Sequence, residues 1–339
     1  MTHEFKKIVN EAIFAKSNGQ KSVLASVVAL DGSSYRRPGV RMLILENSKM
    51  IGAVSGGCVE KEILLQSESV FKTGESKIMT YDGRYRLGCE GVLYILLEIF
   101  NPNDSFVNQF KKCLKDRKTF EIQSYYDKKE GVISGIGSYV KINDSAFSIS
   151  GNIIKTQNKS LSVFKRKMPP CFKLIIIGAE HDAVQLCNYA ALTGWEVTIV
   201  SGVSESKTIT DFPGANHFHA ISAEQMNIDL IDNQTAIVLM THNFANDLRY
   251  LVVLKDASPN YIGLLGPTKR REDVLSQFIE YCPNIDDDFL EKIHGPAGLN
   301  IGAETPQEIA VSIISEILAV VRKHEPMALS KKTGRIHTS

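Results

Sequence analysis

A cysteine stands at the start of an expected helix, in the stretch Gly56-Gly57-Cys58-Val59-Glu60. Residues 51–54 form an apolar run typical of a short strand, and residues 59–70 have the apolar spacing of an amphipathic helix. The first turn of a helix carries free backbone N–H groups and the positive end of the helix dipole, which favour the thiolate form of cysteine. We therefore predict that Cys58 takes part in chemistry or in holding a cofactor.

A second cysteine, Cys89, lies in a similar setting between Gly88 and Gly91, directly before the apolar run 92–97. Two thiols flanked by glycines favour a shared chemical role. The alternative is that both are small buried residues in tight turns, since free cysteine is among the most buried residue types. The six cysteines show no CxxC pair and no disulfide-like spacing, so reduced thiols in the cytoplasm are expected.

Three arginines, Arg36, Arg37 and Arg41, are concentrated between two expected strands in the segment 33–41, which also contains two serines. Guanidinium groups beside a Gly-Gly-Cys turn suit an anionic ligand that carries phosphate or sulfur. The alternative is a loop of exposed arginines that binds nothing.

Two domains of different class are predicted. Residues 1–155 read as an α+β domain with an antiparallel or mixed sheet, and residues 156–170 as a polar linker. From 171 to 325, apolar strands alternate with helices, which predicts a Rossmann-like domain with a parallel sheet and helices on both faces. Residues 326–339 form a polar tail. The predicted fold class is therefore α/β, with an N-terminal α+β domain followed by a C-terminal Rossmann-like parallel-sheet domain.

The first turn of the Rossmann-like domain departs from the dinucleotide fingerprint. Gly178 occupies the first glycine position, but Glu180 stands where a second glycine lets the pyrophosphate approach the backbone. The acidic residue expected at the end of the second strand is replaced by Ser201. A Rossmann domain that binds no dinucleotide is favoured over one that binds NAD(P).

Other loops of this domain suit an anion better. The loop 263–271 contains Gly266 and leads into a helix that begins with Lys269 and Arg270, an arrangement that binds phosphate. Basic residues on a solvated helix are the alternative. His242 follows the third apolar strand at the carboxyl edge of the sheet, where ligands bind in open α/β folds. A histidine there is a candidate ligand contact, and the alternative is an ordinary hydrogen-bond partner.

Composition excludes some classes of partner. The chain has 339 residues, a formal net charge of +1 and no long basic run, which argues against nucleic acid or a membrane surface as the main partner. No apolar stretch approaches the roughly 20 residues needed to span a bilayer. The first residues lack the apolar core of a secretory signal.

Taken together, these segments resemble the XdhC/CoxI family, the accessory proteins of xanthine dehydrogenase and other molybdenum hydroxylases. The resemblance rests on motifs spread over nearly the whole chain: DGSS with RPG and RM (31–42), SGGCVE (55–60), GCEG (88–91), GA (178–179), GWEVT (194–198), MTH (240–242), YIGLLG (261–266), GLNIGA (298–303), and TP with EIAVSI (305–313).

This resemblance implies a cofactor chaperone or maturation factor rather than an enzyme. Members are thought to bind the molybdenum cofactor (molybdopterin), protect it while sulfur is installed, and pass it to the apo-hydroxylase. By motif, Cys58 and Cys89 become candidates for contacting molybdenum or sulfur, together with the turn residues Ser55, Gly56 and Gly57. The arginines 36, 37 and 41 would hold the pterin phosphate. A cysteine desulfurase as a second partner and a homodimer are further expectations.

Two alternatives stay open. The first is an NAD(P)-dependent oxidoreductase that uses the Rossmann-like domain, with Cys58 or His242 near the substrate. Glu180 and Ser201 weigh against it. The second is a thiol relay in which Cys58 transiently carries persulfide sulfur.

Overall fold

The computed structural model describes residues 1–32, 37–55, 57–83, 91–151 and 160–333, and the side chain of Cys58 lies outside this description. The chain divides into two compact units, Met1–Pro170 and Cys171–Ser339. Each unit has its own sheets and its own apolar cores.

The described residues of the first unit form two antiparallel sheets and three α-helices. Its six-stranded sheet has the order β3-β2-β1-β5-β4-β7, and its four-stranded sheet has the order β10-β6-β8-β9. The elements are α1 (Thr2–Ser17), β1 (Ser22–Gly32), β2 (Arg41–Leu45), β3 (Met50–Gly52), α2 (Cys58–Thr73), β4 (Lys77–Asp82), β5 (Gly91–Ile99), α3 (Asp104–Lys115), β6 (Phe120–Tyr126), β7 (Gly131–Val132), β8 (Gly137–Ile142), β9 (Ser145–Ser148) and β10 (Ser162–Met168).

The six-stranded sheet of this unit is covered on both faces. Val59 and Ile63 of α2 pack with Val27 and its neighbours on one face, and Phe5 of α1 packs with Leu24 and the four-stranded sheet on the other. Because both faces are buried, eight consecutive residues of β1 are buried and the strand reads as a continuous apolar run.

β10 lies within the segment that the sequence assigned to a linker. Residues 162–168 pair with β6 along their whole length, from Ser162 opposite Tyr126 to Met168 opposite Phe120. The strand carries Lys165 and Lys167 exposed to solvent, and this charged composition explains why apolar periodicity did not reveal it. An edge strand with one hydrogen-bonded neighbour tolerates such charges.

The second unit contains a parallel six-stranded sheet with the strand order β13-β12-β11-β14-β15-β16. Numbered from its first strand, this order is 3-2-1-4-5-6, the arrangement of the Rossmann fold. The elements are β11 (Lys173–Ile177), α4 (His181–Leu192), β12 (Glu196–Ser201), β13 (Ala215–Ala220), β14 (Thr235–Leu239), α5 (Phe244–Leu254), β15 (Tyr261–Leu264), α6 (Thr268–Tyr281), α7 (Asp287–Leu290), β16 (Ile293–His294) and α8 (Pro306–Arg322). The predicted fold class is confirmed.

Helices cover both faces of the parallel sheet. α4 and α8 pack on one face through Leu186 and Ile313, and α5 and α6 pack on the other through Leu251 and Phe278. α8 begins with the capping box that its sequence predicts. The Thr305 hydroxyl oxygen accepts a hydrogen bond from the Glu308 N–H at 3.3 Å, and the Glu308 carboxylate accepts one from the Thr305 N–H at 2.9 Å. Among the described residues, no helix is both long and apolar enough to cross a membrane.

The turn between β11 and α4 requires a glycine. Gly178 has φ of +138°, and a Cβ built on it would lie 2.3 Å from the carbonyl oxygen of Met240. We expect Gly178→Ala to destabilise the second unit by roughly 2–4 kcal/mol, because both the backbone conformation and the contact with the end of β14 must change. Urea unfolding followed by the fluorescence of Trp195, the only tryptophan of the chain, measures this loss.

The matched control is Gly202→Ala in the same unit. Gly202 does not have a positive φ, and a Cβ there would meet no atom within 4 Å, so its replacement should leave the transition almost unchanged. Equal unfolding midpoints for the two variants would contradict a special role for Gly178.

Candidate functional site

The described flanks of three sequence motifs lie at one end of the six-stranded sheet. Strand pairing places Gly32 opposite Gly91 and Asp82 opposite Val92, so β1 and β4 end where β5 begins. In the hairpin of β2 and β3, Met42 near the start of β2 lies opposite Gly52 at the end of β3. The arginine segment leads into β2 and the Gly-Gly-Cys turn follows β3, so both segments adjoin the same end of this hairpin. β1 and β5 extend further in this direction than β2 does. The strand directions thus bring the flanks of segments 33–40, 53–57 and 83–90 to the same end.

The Gly-Gly-Cys turn is held by one buried carboxylate. Glu60 accepts hydrogen bonds from the backbone N–H of Val54 at 3.1 Å, of Ser55 at 2.6 Å and of Gly57 at 2.8 Å, and from the Ser55 hydroxyl at 2.6 Å. Burial would raise the pKa of Glu60, but the hydrogen bonds from Ser55 and Gly57 outweigh it and hold this pKa below its ordinary value. The backbone N–H groups of Val54, Ser55 and Gly57 are therefore already hydrogen-bonded to the Glu60 carboxylate.

Cys58 is the first residue of α2, and Gly57 precedes it as the cap with φ of 125°. The predicted position of Cys58 at a helix N-terminus is confirmed.

Several predicted site residues fall outside the described part of the chain. Arg36, Gly56 and Cys89 are among them, as is the Cys58 side chain. The roles assigned to these groups stay predictions.

The arginine segment divides into an exposed and a buried part. Arg37 is exposed and lies ahead of β2. Arg41 is buried, its Nη1 donates to the carbonyl oxygen of Gly39 at 2.9 Å, and its guanidinium lies 5.9 Å from the ring centroid of Phe5. The expectation that Arg41 offers its guanidinium to a ligand from an open loop is corrected, because the first residue of a strand between two layers points into the core.

Arg41 faces a second buried charged residue, Glu98 on β5. The Glu98 carboxylate accepts a hydrogen bond from the Ser138 N–H at 2.8 Å. Burial raises the pKa of Glu98 to about 7, although Ser138 and Arg41 act in the opposite direction, and burial lowers the pKa of Arg41 to about 10.

In the second unit, Glu180 caps α4 at the position of the missing glycine. Its carboxylate lies 3.8 Å from the Lys207 ammonium, which donates a hydrogen bond to the carbonyl oxygen of Ala179 at 2.5 Å. Ser201 ends β12, as the sequence predicted, and its hydroxyl oxygen is buried with no hydrogen-bond partner in the described chain. Gly178 touches the end of β14 so closely that packing alone explains its glycine.

His242 lies at the carboxyl edge of the parallel sheet, as predicted. Its backbone has φ of +53°, its side chain is half exposed, and its Nε2 lies 3.8 Å from the Asp182 carboxylate on α4. This arrangement is consistent with a ligand contact and equally with a link between the β14–α5 turn and the start of α4.

Two of the three cations in the predicted anion loop differ in their environment. Lys269 is exposed. Arg270 donates to the buried carboxylate of Asp247 at 2.5 Å, and Asp247 also accepts from the Thr241 hydroxyl at 2.6 Å. Gly266 has φ of +121°, and a Cβ there would lie 2.7 Å from the Arg270 side chain. Arg270 therefore joins the ends of β14, α5 and α6, while the phosphate role of this loop stays a prediction.

A further cluster was not predicted from the sequence. The Glu316 carboxylate on α8 accepts hydrogen bonds from the Tyr261 hydroxyl at 2.5 Å and the Gly298 N–H at 2.8 Å, and it lies 3.5 Å from Nδ1 of His294. The rings of Tyr261 and His294 stack with centroids 4.6 Å apart. Burial would raise the pKa of Glu316, but His294, Tyr261 and Gly298 together lower it. This cluster fixes the glycine-rich loop before α8.

The acids that sequence reasoning missed share one signal. Glu98, Asp247 and Glu316 each interrupt an apolar stretch of a strand or helix, where a charged residue without a partner would be costly. Glu60 stands at the capping-box position of α2. Within the described residues there is no cluster of three or more histidine, cysteine or acidic side chains that could hold a metal ion.

Comparisons with known proteins agree with both units. The family model for the XdhC Rossmann domain matches residues 174–317, and the model for the XdhC and CoxI family matches residues 15–82. The chain is 29% identical over 315 residues to a probable xanthine dehydrogenase subunit from Bacillus subtilis, covering 88% of this chain and 93% of that protein. It is 23% identical over 330 residues to the molybdenum cofactor insertion chaperone PaoD from Escherichia coli, covering 96% of this chain and 91% of the relative.

A solved structure has the same fold. A crystal structure described as a xanthine dehydrogenase from Bacillus halodurans superposes with a TM-score of 0.75 and 22% sequence identity. The similarity covers 94% of this chain and 96% of the other. At this level of identity the likeness establishes the fold.

The buried Glu98 carboxyl predicts a pH-dependent stability of the first unit. Its pKa is about 7 in the folded chain and 4.5 in an ordinary glutamate, so the protonated form stabilises the fold. This contribution is complete below about pH 4.5, is lost as the pH rises through 7, and amounts to roughly 3 kcal/mol. In wild type, this contribution makes the free energy of unfolding of the first unit fall between pH 5 and pH 8. Urea unfolding measured by circular dichroism should show that Glu98→Gln removes this part of the fall.

The exposed residue Glu75 provides the control. Glu75→Gln should show the same fall in the free energy of unfolding between pH 5 and pH 8 as the wild type. The fluorescence of Trp195 identifies the transition of the second unit, so that the two transitions are assigned separately. A decline that is the same in Glu98→Gln and the wild type would contradict the raised pKa.

Proposed function

This chain belongs to the XdhC and CoxI family, and we propose that it is an accessory protein that binds the molybdenum cofactor and delivers it to a xanthine dehydrogenase-type molybdenum hydroxylase, with assistance from the Cys58 thiol. The cofactor is cargo in this proposal, and the chain itself carries out no turnover.

The observation that carries the proposal is the convergence of three motif segments at one end of the first sheet. The flanks of the arginine segment, of the Gly-Gly-Cys turn and of the segment that contains Cys89 all lie at that end. A thiol and several cations that are distant in sequence thereby become candidates for one binding site.

These residue types fit the chemistry of the cargo. A pterin-bound molybdenum centre carries anionic oxygens and a phosphate, which suit guanidinium groups, and a soft metal centre, which suits a thiolate. Arg36 and Arg37 would hold the phosphate, while Cys58 and Cys89 would approach the metal or its sulfur. Buried Arg41 would act indirectly, because its bond to Gly39 anchors the end of the arginine segment.

Glu60 supports the proposal by fixing the turn before the cargo arrives. Its carboxylate holds the backbone of Val54, Ser55 and Gly57, so Cys58 starts α2 from a preformed turn. A preformed site loses less conformational entropy when it binds its ligand.

The names of the relatives support an accessory role over catalysis. One is named a molybdenum cofactor insertion chaperone and another a probable subunit of xanthine dehydrogenase. By this similarity the partner would be an apo-molybdenum hydroxylase. A cysteine desulfurase as sulfur donor and a homodimeric assembly are predictions that follow from the family. For the NAD(P)-dependent oxidoreductase alternative, the Glu180 carboxylate at the Gly-rich turn is unfavourable.

The test is anaerobic retention of released molybdenum cofactor, measured as fluorescence of the oxidised pterin after gel filtration. We expect the wild type to retain the cofactor and Cys58→Ala to lose about tenfold or more in affinity, because a metal or sulfur contact is removed. Cys282→Ala, at a buried cysteine in the second unit, is the control and should retain the cofactor like the wild type.

Each outcome decides between the alternatives. Failure of the wild type to retain the cofactor would overturn the chaperone proposal. Retention by both proteins, with loss of reconstituted hydroxylase activity in Cys58→Ser, would assign Cys58 to a persulfide relay. Equal retention and equal activity would remove Cys58 from the site.

A further inference from the structure

A cleft of about 320 Å³ opens at the carboxyl ends of β11, β12 and β14 in the second unit. Open α/β sheets bind ligands at this place, where the strand order reverses. Its volume lies at the lower end of the range for small-molecule sites, which fits part of a dinucleotide better than the whole molecule. The function proposed above does not use this cleft.

The charges at one end of the cleft are unfavourable for a pyrophosphate. Glu180, which lines the cleft, caps α4, and Asp182 lies in the first turn of the same helix. In dinucleotide-binding domains this helix N-terminus is left for the phosphates. Here two carboxylates already complement the positive end of the helix, and both would repel a phosphate at close range.

The ammonium group beside this turn does not compensate for the two acids. Lys207 donates its hydrogen bond to the carbonyl oxygen of Ala179 at 2.5 Å and lies 3.8 Å from the Glu180 carboxylate. It therefore neutralises part of the Glu180 charge and holds the turn closed. A phosphate would have to break these interactions before it could use the same cation.

The remainder of the cleft offers hydroxyl groups and a flat, partly apolar surface. The hydroxyl of Ser201 is buried without a hydrogen-bond partner among the described residues, so it can bond a sugar hydroxyl without giving up another bond. Ile221 and Tyr250 provide apolar surface. Arg249 is held by two hydrogen bonds to Glu224, at 3.1 and 2.7 Å, and a guanidinium fixed in this way is a platform on which a planar base can stack.

We propose that this cleft binds an uncharged nucleoside and selects against nucleotides that carry a phosphate at the Gly-rich turn. Ser201 binds the ribose, and the base packs on the side of the cleft formed by Ile221 and Tyr250. The Glu180 carboxylate repels a phosphate and so favours the nucleoside over the nucleotide. The ligand class follows from the hydroxyl-lined, partly apolar walls together with the acidic helix start.

The test is isothermal titration of the full chain with adenosine, AMP and NAD⁺. We expect the wild type to bind adenosine roughly tenfold more tightly than the two phosphate-bearing ligands. Glu180→Gln keeps the size of the side chain but removes its charge, so it should tighten AMP and NAD⁺ by about three- to tenfold and leave adenosine unchanged. Ser201→Ala should weaken adenosine by about three- to tenfold.

Glu280→Gln, near the C-terminal end of α6 and away from the cleft lining, is the control and should match the wild type with all three ligands. Thermal unfolding of each variant excludes loss of fold as the cause of a change. Absence of adenosine binding by the wild type would overturn the proposal. An unchanged preference between adenosine and AMP in Glu180→Gln would overturn the role of Glu180. Retention of molybdenum cofactor is measured separately, so failure here leaves the chaperone proposal unaffected.

Discussion

The antiparallel pairing of β1 with β5 determines what the first unit can do. Nine residues of β1 pair with residues of β5, and this ladder fixes the direction of every other strand in the sheet. Reversing β1, β2 or β5 would carry one motif segment to the opposite end of the sheet, about one strand length away. The position of the candidate site thus follows from strand direction. The candidate site residues are far apart in sequence, and the β1–β5 pairing that brings their segments to one end contains none of them.

Carboxylates perform the same task at three turns. Glu60 holds the Gly-Gly-Cys turn, Asp247 joins the ends of β14 and α6, and Glu316 fixes the loop before α8. Glu60 accepts hydrogen bonds from one turn, and Asp247 and Glu316 accept them from separate segments, so the removal of any of these carboxylates would leave several donors unsatisfied. Loops that carry candidate site residues are in this way held rigid by acids that do not themselves face a ligand.

Most of the fold could be predicted from the sequence, because both units bury their strands in apolar runs and cap their helices with local signals. The apolar pattern did not predict β10, because charged residues on this edge strand obscure the two-residue period of a strand. It also did not predict the burial of Arg41, whose residue type suggested solvent exposure but whose position in the strand places it in the core. The site was predictable only in its local parts. Glu98 accepts a hydrogen bond from Ser138 and Glu316 from Tyr261 across long sequence separations, and single-sequence periodicity contains no information on such contacts.

The exposed lysines of β10 also bear on how copies of the chain can associate. β10 is an edge of the four-stranded sheet, and an uncovered strand edge invites pairing with an identical edge of another molecule. With Lys165 and Lys167 along it, two such edges brought side by side would place like charges in register. Pairing of two copies through the β10 edge is therefore disfavoured, and an association of copies has to use another strand edge or another surface.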